Sequence, residues 1–267
     1  MNRIEKMTKS VVRIVTEKSI GTGFFFVFQI EGDIYPFIIT NKHVVENCNS
    51  MQVVVSKKSE MDNPEAEIFQ FDGIKSIKLD HSKHNVDLCA IPAIDLFKTY
   101  YELDISYLTQ SDIRINEIKD LNFVEDILMV GYPRGVIDEY NNLPVFRKGI
   151  TATHPGIKFN NQKIFLIDMT ITNGSSGSPV YLYNPNGYSD SKGNVYLGQE
   201  RFLFLGVNFA DNIMETKGYI VKDEDIDKTA YGVSEIGINL GVIIHAEELL
   251  DFEEQIKNME DSDENKN

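Results

Sequence analysis

Thr172-Asn173-Gly174-Ser175-Ser176-Gly177-Ser178-Pro179 is a run of small and polar residues set between two apolar segments, Phe165-Leu166-Ile167 and Val180-Tyr181-Leu182. A stretch of this kind reads as a tight turn joining two strands. Its glycines let the backbone take positive φ and turn N–H groups toward one point. Such a point can hold a developing oxyanion, and Ser176 stands beside it as a candidate nucleophile. The same octet also suits an ordinary Ser/Gly hairpin loop, so its meaning depends on what the rest of the chain supplies.

Upstream of the loop, short runs rich in β-branched and aromatic residues recur at 10–15, 24–28, 35–40, 51–55, 67–71, 74–79 and 86–91. Gly21-Thr22-Gly23 and Glu31-Gly32-Asp33 punctuate the first three of them, the pattern of antiparallel hairpins. These make the six or seven strands of a small barrel. Residues 1–8 read as a lead-in with one helical turn. Residues 92–121 change texture, with a helix over 93–101, and form a connection between two halves. Strands resume at 127–130, 143–152, 163–169, 180–183, 201–207 and 240–244, interrupted by a polar excursion over 184–198. A helix over 246–256 places Leu249, Phe252 and Ile256 on one face. The order is two successive strand sets, not alternating βαβ.

The 267-residue chain has 42% hydrophobic and 25% charged residues, ordinary for a globular protein. A formal charge of −15 argues against nucleic acid or an anionic membrane as the partner. The acidic C-terminus, with Glu253, Glu254, Glu260, Asp261, Asp263 and Glu264, reads as a solvated tail. No apolar run is long enough to span a bilayer, and the N-terminus lacks the hydrophobic core of a secretion signal. Cys48 and Cys89 fit no metal spacing and read as free thiols, Cys89 buried, in keeping with a cytoplasmic location. No metal or cofactor is expected.

Two further islands carry chemistry. In Phe37-Ile38-Ile39-Thr40-Asn41-Lys42-His43-Val44-Val45 an apolar strand ends in a polar turn, and His43 falls at the start of a short helical segment. Histidine at a strand exit can present one ring nitrogen to a cleft and the other to the interior. His81, His84, His154 and His245 sit in loops or lead-ins without such a context. In Asn85-Val86-Asp87-Leu88-Cys89-Ala90-Ile91 a carboxylate enters an apolar strand and needs a partner there, for which an imidazole N–H is suited. Asp80 and Asp95 compete for that role in more polar settings. His43, Asp87 and Ser176 follow one another at spacings of 44 and 89 residues. That chain order is the one found in the chymotrypsin-type double barrel, with the site in the cleft between barrels.

With Gly21-Thr22-Gly23-Phe24, the histidine and aspartate islands, Val130-Gly131-Tyr132-Pro133-Arg134-Gly135, the stretch from Asp168 to Pro179, and Gly206-Val207-Asn208, the chain resembles a bacterial, HtrA-like member of the trypsin-like serine peptidases over about residues 10–250. The resemblance implies a mostly β fold of two six-stranded antiparallel β-barrels with a C-terminal helix. Residues 1–110 would carry the histidine and aspartate, 111–250 the serine and oxyanion hole, and 246–267 the helix and acidic tail. It implies a serine endopeptidase acting on a protein or peptide, with His43, Asp87 and Ser176 as triad, and Gly174 and Ser176 N–H as oxyanion donors. Thr170, Asn173 and Asn208 would contact substrate, and a neutral Thr170 disfavours Arg or Lys in the specificity pocket.

Several residues depart from the pattern. Ser178 replaces a glycine, Asn173 a proline, and Lys42 puts a charge beside the histidine. Ser175 replaces the aspartate that pairs with a freshly cut N-terminus, so activation by N-terminal cleavage is not expected. After the second strand set only one helix and a tail are read, and a PDZ-like module is not expected among these residues. These features keep open a second reading, a trypsin-fold binding or regulatory module with a degenerate site. A regulatory protein partner or oligomer fits either reading. An α/β-hydrolase is disfavoured, because its histidine would follow the serine.

Overall fold

The computed structural model describes residues 1–59, 64–133, 138–222 and 225–264, with side chains described throughout these ranges except at 210–238 and 261–264. Arg134 and Gly135 of the glycine-proline island lie outside the described residues, as does the end of the acidic tail. The chain starts with α1 (Arg3–Ser10), capped by Asn2, whose side chain accepts the Glu5 N–H, and fixed by the fully buried Met7. The first sheet contains β1 (Val11–Val15), β2 (Ile20–Ile30), β3 (Asp33–Thr40), β4 (Ser50–Ser56), β5 (Ala66–Asp72), β6 (Leu79–Asp80), β7 (Cys89–Pro92) and β8 (Leu108–Thr109). Its path runs β5-β4-β1-β2-β3-β7-β6, and β8 pairs with β2 in parallel. The sheet is curled and open, with eight strands where the resemblance implied a ring of six.

The second set closes. β9 (Asp126–Gly131), β10 (Val145–Thr151), β11 (Ile164–Asp168), β12 (Pro179–Asn184), β15 (Arg201–Lys222) and β16 (Asp225–His245) form a barrel in the order β10-β11-β16-β15-β12-β9. Between them β13 (Gly187–Ser189) and β14 (Val195–Leu197) make a small hairpin inside the polar excursion, with Tyr188 stacked on Tyr196. β15 (Arg201–Lys222) and β16 (Asp225–His245) pair far beyond the barrel rim, through Lys217 opposite Val233 to Lys222 opposite Asp225. The sequence reading ended these strands at 207 and began them again at 240, because no apolar alternation marks the ribbon between.

Phe24-Phe25-Phe26-Val27-Phe28 of β2 explains how the halves meet. Side chains on a strand alternate between faces, so a strand apolar throughout is buried on both. Phe24, Phe26 and Phe28 join Tyr181, Phe204 and Phe252 in a core between the two sheets, while Phe25 joins Ile14, Ile38 and Val53 inside the first. The second barrel repeats the device. Ile127, Met129, Val180, Leu182, Leu203 and Leu205 fill its interior, and the intervening Val130, Tyr181, Phe202 and Phe204 face the seam. Each fully buried aromatic in this seam contributes about 2 kcal/mol by area alone.

One element is reassigned. Residues 74–79, expected as a strand, form the single turn α2 (Ile74–Ile77) ahead of β6. Gly73 at φ +68° redirects the chain, so Ile74 alone drops fully into the core instead of alternating with its neighbours. Two further short helices, α3 (Ile94–Lys98) and α4 (Ile115–Lys119), lie in the connection. Cys48 and Cys89 are both buried and unpaired, and burial pushes the Cys89 thiol well above its ordinary range. No described helix is long and apolar enough to cross a membrane.

The closing α5 (Leu250–Glu264) returns to the first sheet. Leu249, Phe252 and Ile256 are buried in the seam, as their spacing implied. Asp251 accepts the Ser82 N–H at 2.9 Å, and Gln255 donates to Asp80 O at 3.0 Å. Glu248 is buried beneath His81 Nε2 at 3.0 Å, Lys163 Nζ at 3.0 Å and Lys83 Nζ at 3.3 Å. Burial alone would raise its pKa, but His81 and the two lysines outweigh that and hold it at about 2, against an ordinary 4.5. A depressed carboxylate pKa gives stability that is complete above the unfolded value and lost as pH falls through the folded one. Glu248→Gln is therefore expected to lower Tm at neutral pH while showing a smaller loss than wild type between about pH 4.5 and pH 2. Equal Tm losses across that window in both proteins, measured by thermal melts, would contradict it.

Candidate active site

β3 delivers His43 to the cleft edge. The strand ends at Thr40, Asn41 begins a 3-10 turn over Lys42–Val44, and His43 is exposed there while Val44 and Val45 anchor the turn in the core. Gly21 makes that anchoring feasible, since a Cβ on it would lie 2.6 Å from Val44 Cγ1. Asp87 stands two residues ahead of β7. Its carbonyl accepts Asn41 Nδ2 at 2.7 Å, which ties the aspartate's loop to the histidine's turn.

The carboxylate itself holds His43 at two points. Asp87 Oδ2 lies 2.5 Å from His43 Nδ1, and Oδ1 accepts the His43 backbone N–H at 3.2 Å. An ionised carboxylate only accepts, so this contact places a proton on Nδ1 and leaves Nε2 of the neutral ring as a base. Lys42 turns away from the ring, its Nζ donating to His81 O at 3.3 Å and Lys83 O at 3.4 Å. The charge that set this sequence apart thus fastens the loop leading to Asp87. The competing carboxylates are occupied elsewhere: Asp80 pairs with Lys78 and Asp95 with Lys98.

The serine loop is shaped by two glycines in the left-handed region, Gly174 at φ +91° and Gly177 at φ +83°. Ser178 has no such backbone, so the turn does not require a glycine there, although the Ser178 hydroxyl is buried with no hydrogen-bond partner among the described residues. Ser175 N–H donates to Thr172 O, Gly177 N–H to Asn208 O, and Ser178 N–H to Ser175 O, at 3.0, 2.9 and 3.1 Å. The N–H groups of Gly174 and Ser176 have no partner among the described residues. Such free, fixed donors are what an anion-stabilising loop requires.

Thr22 joins this loop to the histidine side. Thr22 N–H donates to Ser176 O at 3.0 Å, and Thr22 O accepts Thr40 Oγ1–H at 2.8 Å, three residues before His43. Gly177 packs into the same point: a Cβ on it would sit 1.9 Å from Thr22 O and 2.6 Å from Thr40 Oγ1. No hydrogen bond joins His43 Nε2 to Ser176 Oγ among the described residues. Such contacts are commonly loose before substrate arrives.

Of the other sequence-derived positions, Thr170 and Asn173 are exposed, and Thr170 lines a cavity of about 340 Å³ with Pro133, Phe146, Arg147 and Met169. Asn208 is buried and grips the loop from within, its Nδ2 donating to Ser175 O at 3.0 Å. A second cavity of about 230 Å³ opens beside Asp87, between Lys83, Lys158, Lys163 and Phe209. His154 is buried in the second half, with Nε2 2.9 Å from Leu121 O and Nδ1 accepting Gly156 N–H. Thr22, Thr40 and Asn41 were not singled out individually from the sequence. The glycines flanking Thr22, which mark a close backbone approach, were the available signal.

Fold and site together define a trypsin-like peptidase architecture. Residues 21–186 match the trypsin-like peptidase domain family, and the chain belongs to that family. No curated protein sequence matches. Among solved structures the chain is similar to a serine-to-alanine mutant of Rv3671c from M. tuberculosis H37Rv in an inactive form, at 17% identity over 91% of this chain and 84% of that one, with TM-score 0.45. It is similar to the Rv3671c protease in an inactive form at 19% identity, over 91% and 86% of the two chains, with TM-score 0.44. Similarity to a scabies mite inactivated protease paralogue, S-I1, is 12% over 96% and 98% of the two chains, with TM-score 0.46.

Proposed function

We propose that this chain is a serine endopeptidase with His43, Asp87 and Ser176 as its triad. The observation that carries the reading is the His43–Asp87 pair at 2.5 Å, beside a serine loop in which the Gly174 and Ser176 amides are free. In this mechanism Ser176 Oγ attacks the carbonyl carbon of a peptide bond and its proton passes to His43 Nε2. Asp87 keeps the ring oriented through Nδ1–H and stabilises the imidazolium. The carbonyl oxygen becomes an oxyanion held by Gly174 and Ser176 N–H. As the C–N bond breaks, His43 returns the proton to the leaving amine, and an acyl ester remains on Ser176. Water then attacks the ester, giving its proton to His43, and as the second tetrahedral species collapses to the new carboxyl terminus the C–Oγ bond breaks and His43 returns the proton to Ser176 Oγ.

The substrate under this reading is a protein or peptide. Thr170 and Asn173, both exposed, are the residues we assign to reading its side chains, and Asn208 acts by holding the loop. The test is a fluorophosphonate probe on the intact protein. Labelling at Ser176 that disappears in Ser176→Ala supports the enzyme. Folded wild-type protein that never labels favours the degenerate binding module instead.

A further inference from the structure

Gly174 and Ser176, the candidate oxyanion donors of the serine loop, have their carbonyls gripped by a single residue of the other half. Thr22 N–H donates to Ser176 O at 3.0 Å, and Thr22 Oγ1–H donates to Gly174 O at 3.0 Å. The same hydroxyl accepts Tyr132 N–H at 2.9 Å, so its one proton and a lone pair are both committed. Thr22 is fully buried, and the fold clears space for it: a Cβ on Gly131 would lie 2.7 Å from Thr22 Oγ1.

Gly174, a glycine at φ +91°, has no Cβ to restrict its backbone. Tying its carbonyl removes that freedom and fixes the residue whose N–H stays open. Donors to a developing oxyanion act through being preorganised, so loosening them affects the transition state more than substrate binding.

We infer that the Thr22 hydroxyl is the positioning group for the oxyanion donors of Gly174 and Ser176, so that the first half of the chain sets the electrostatics of a serine carried by the second. The inference rests on the serine-peptidase reading and deepens it. It is tested by steady-state kinetics on a peptide amide, with a peptide boronic acid as a probe whose tetrahedral adduct needs the same donors. Thr22→Val is expected to lower kcat by about 10- to 100-fold with KM within about twofold, and to weaken the boronate in proportion. Thr22→Ser, which restores the hydroxyl, returns kcat to within about threefold of wild type.

A Val variant with kcat within about twofold of wild type overturns the inference, as do Val and Ser variants that are equally impaired. Should Thr22→Val not fold by circular dichroism, Thr22→Cys takes its place, since a thiol is a weak donor of similar size. The Cys variant is then expected to fall below the Ser variant in kcat, and parity between them overturns the proposal. Wild-type protein that resists the fluorophosphonate sinks the peptidase reading and this inference with it. Wild type that labels, alongside a Val variant that labels at the same rate, sinks the inference alone.

Discussion

Ser176→Ala is expected to abolish fluorophosphonate labelling and to lower peptide turnover by about 10⁴- to 10⁶-fold while leaving the melting temperature close to wild type. Ser176 is half-buried, and its backbone carbonyl, not its hydroxyl, carries the contact to Thr22, so removing Oγ takes nothing from the fold. His43→Ala should cost nearly as much, because the serine hydroxyl is a weak nucleophile without a base to take its proton. The double variant should be no worse than the more impaired single one, since the two groups act in one step. A double variant showing the product of the single losses would contradict a concerted triad. Asp87→Asn belongs to the same series, with a loss of about 10⁴-fold through the wrong imidazole tautomer.

The second large effect is expected at Gly177→Ala. The substitution meets two separate penalties. At φ +83° an alanine sits in the left-handed region, at a cost of about 1–2 kcal/mol. Its Cβ would also lie 1.9 Å from Thr22 O, a backbone atom of a strand buried on both faces that cannot step aside. Overpacking of this kind adds about 1–3 kcal/mol. The halves must therefore part locally, and Ser176 moves with them. Activity should fall by at least about 100-fold together with a drop in Tm. Gly73→Ala separates the two causes, because Gly73 has φ +68° and nothing within 4 Å of an added Cβ. It should show the backbone penalty alone, and calorimetric losses equal to those of Gly177→Ala would remove the collision from the account.

Much of this architecture was legible in the chain because its signals are local. The phenylalanine run of β2, apolar at every step, announces a strand with no wet face. His43 and Asp87 each stood at the boundary of an apolar strand, and the structure brings them to 2.5 Å. What escaped reading is what depends on partners remote in sequence. Thr22 and Gly174 are 152 residues apart, and nothing in either neighbourhood names the other. Asn208, expected to face substrate, turns inward, because the loop's carbonyl at Ser175 offered its amide a buried partner. Ile74 and Ile77 are apolar enough to suggest a strand, and only the left-handed Gly73 decides for a helical turn. The ribbon of β15 and β16 is long because the two strands pair with each other, a property invisible to any single window.

The doubly buried strand β2 has a practical corollary for dissection of the molecule. A chain severed within the connection between the two strand sets would yield two fragments, each displaying a row of aromatic rings shaped to the other. Neither fragment has a surface fit for water on that side, so each alone should aggregate. Produced together they should find one another and reconstitute, which makes the connection a natural place to split this protein into a complementation pair.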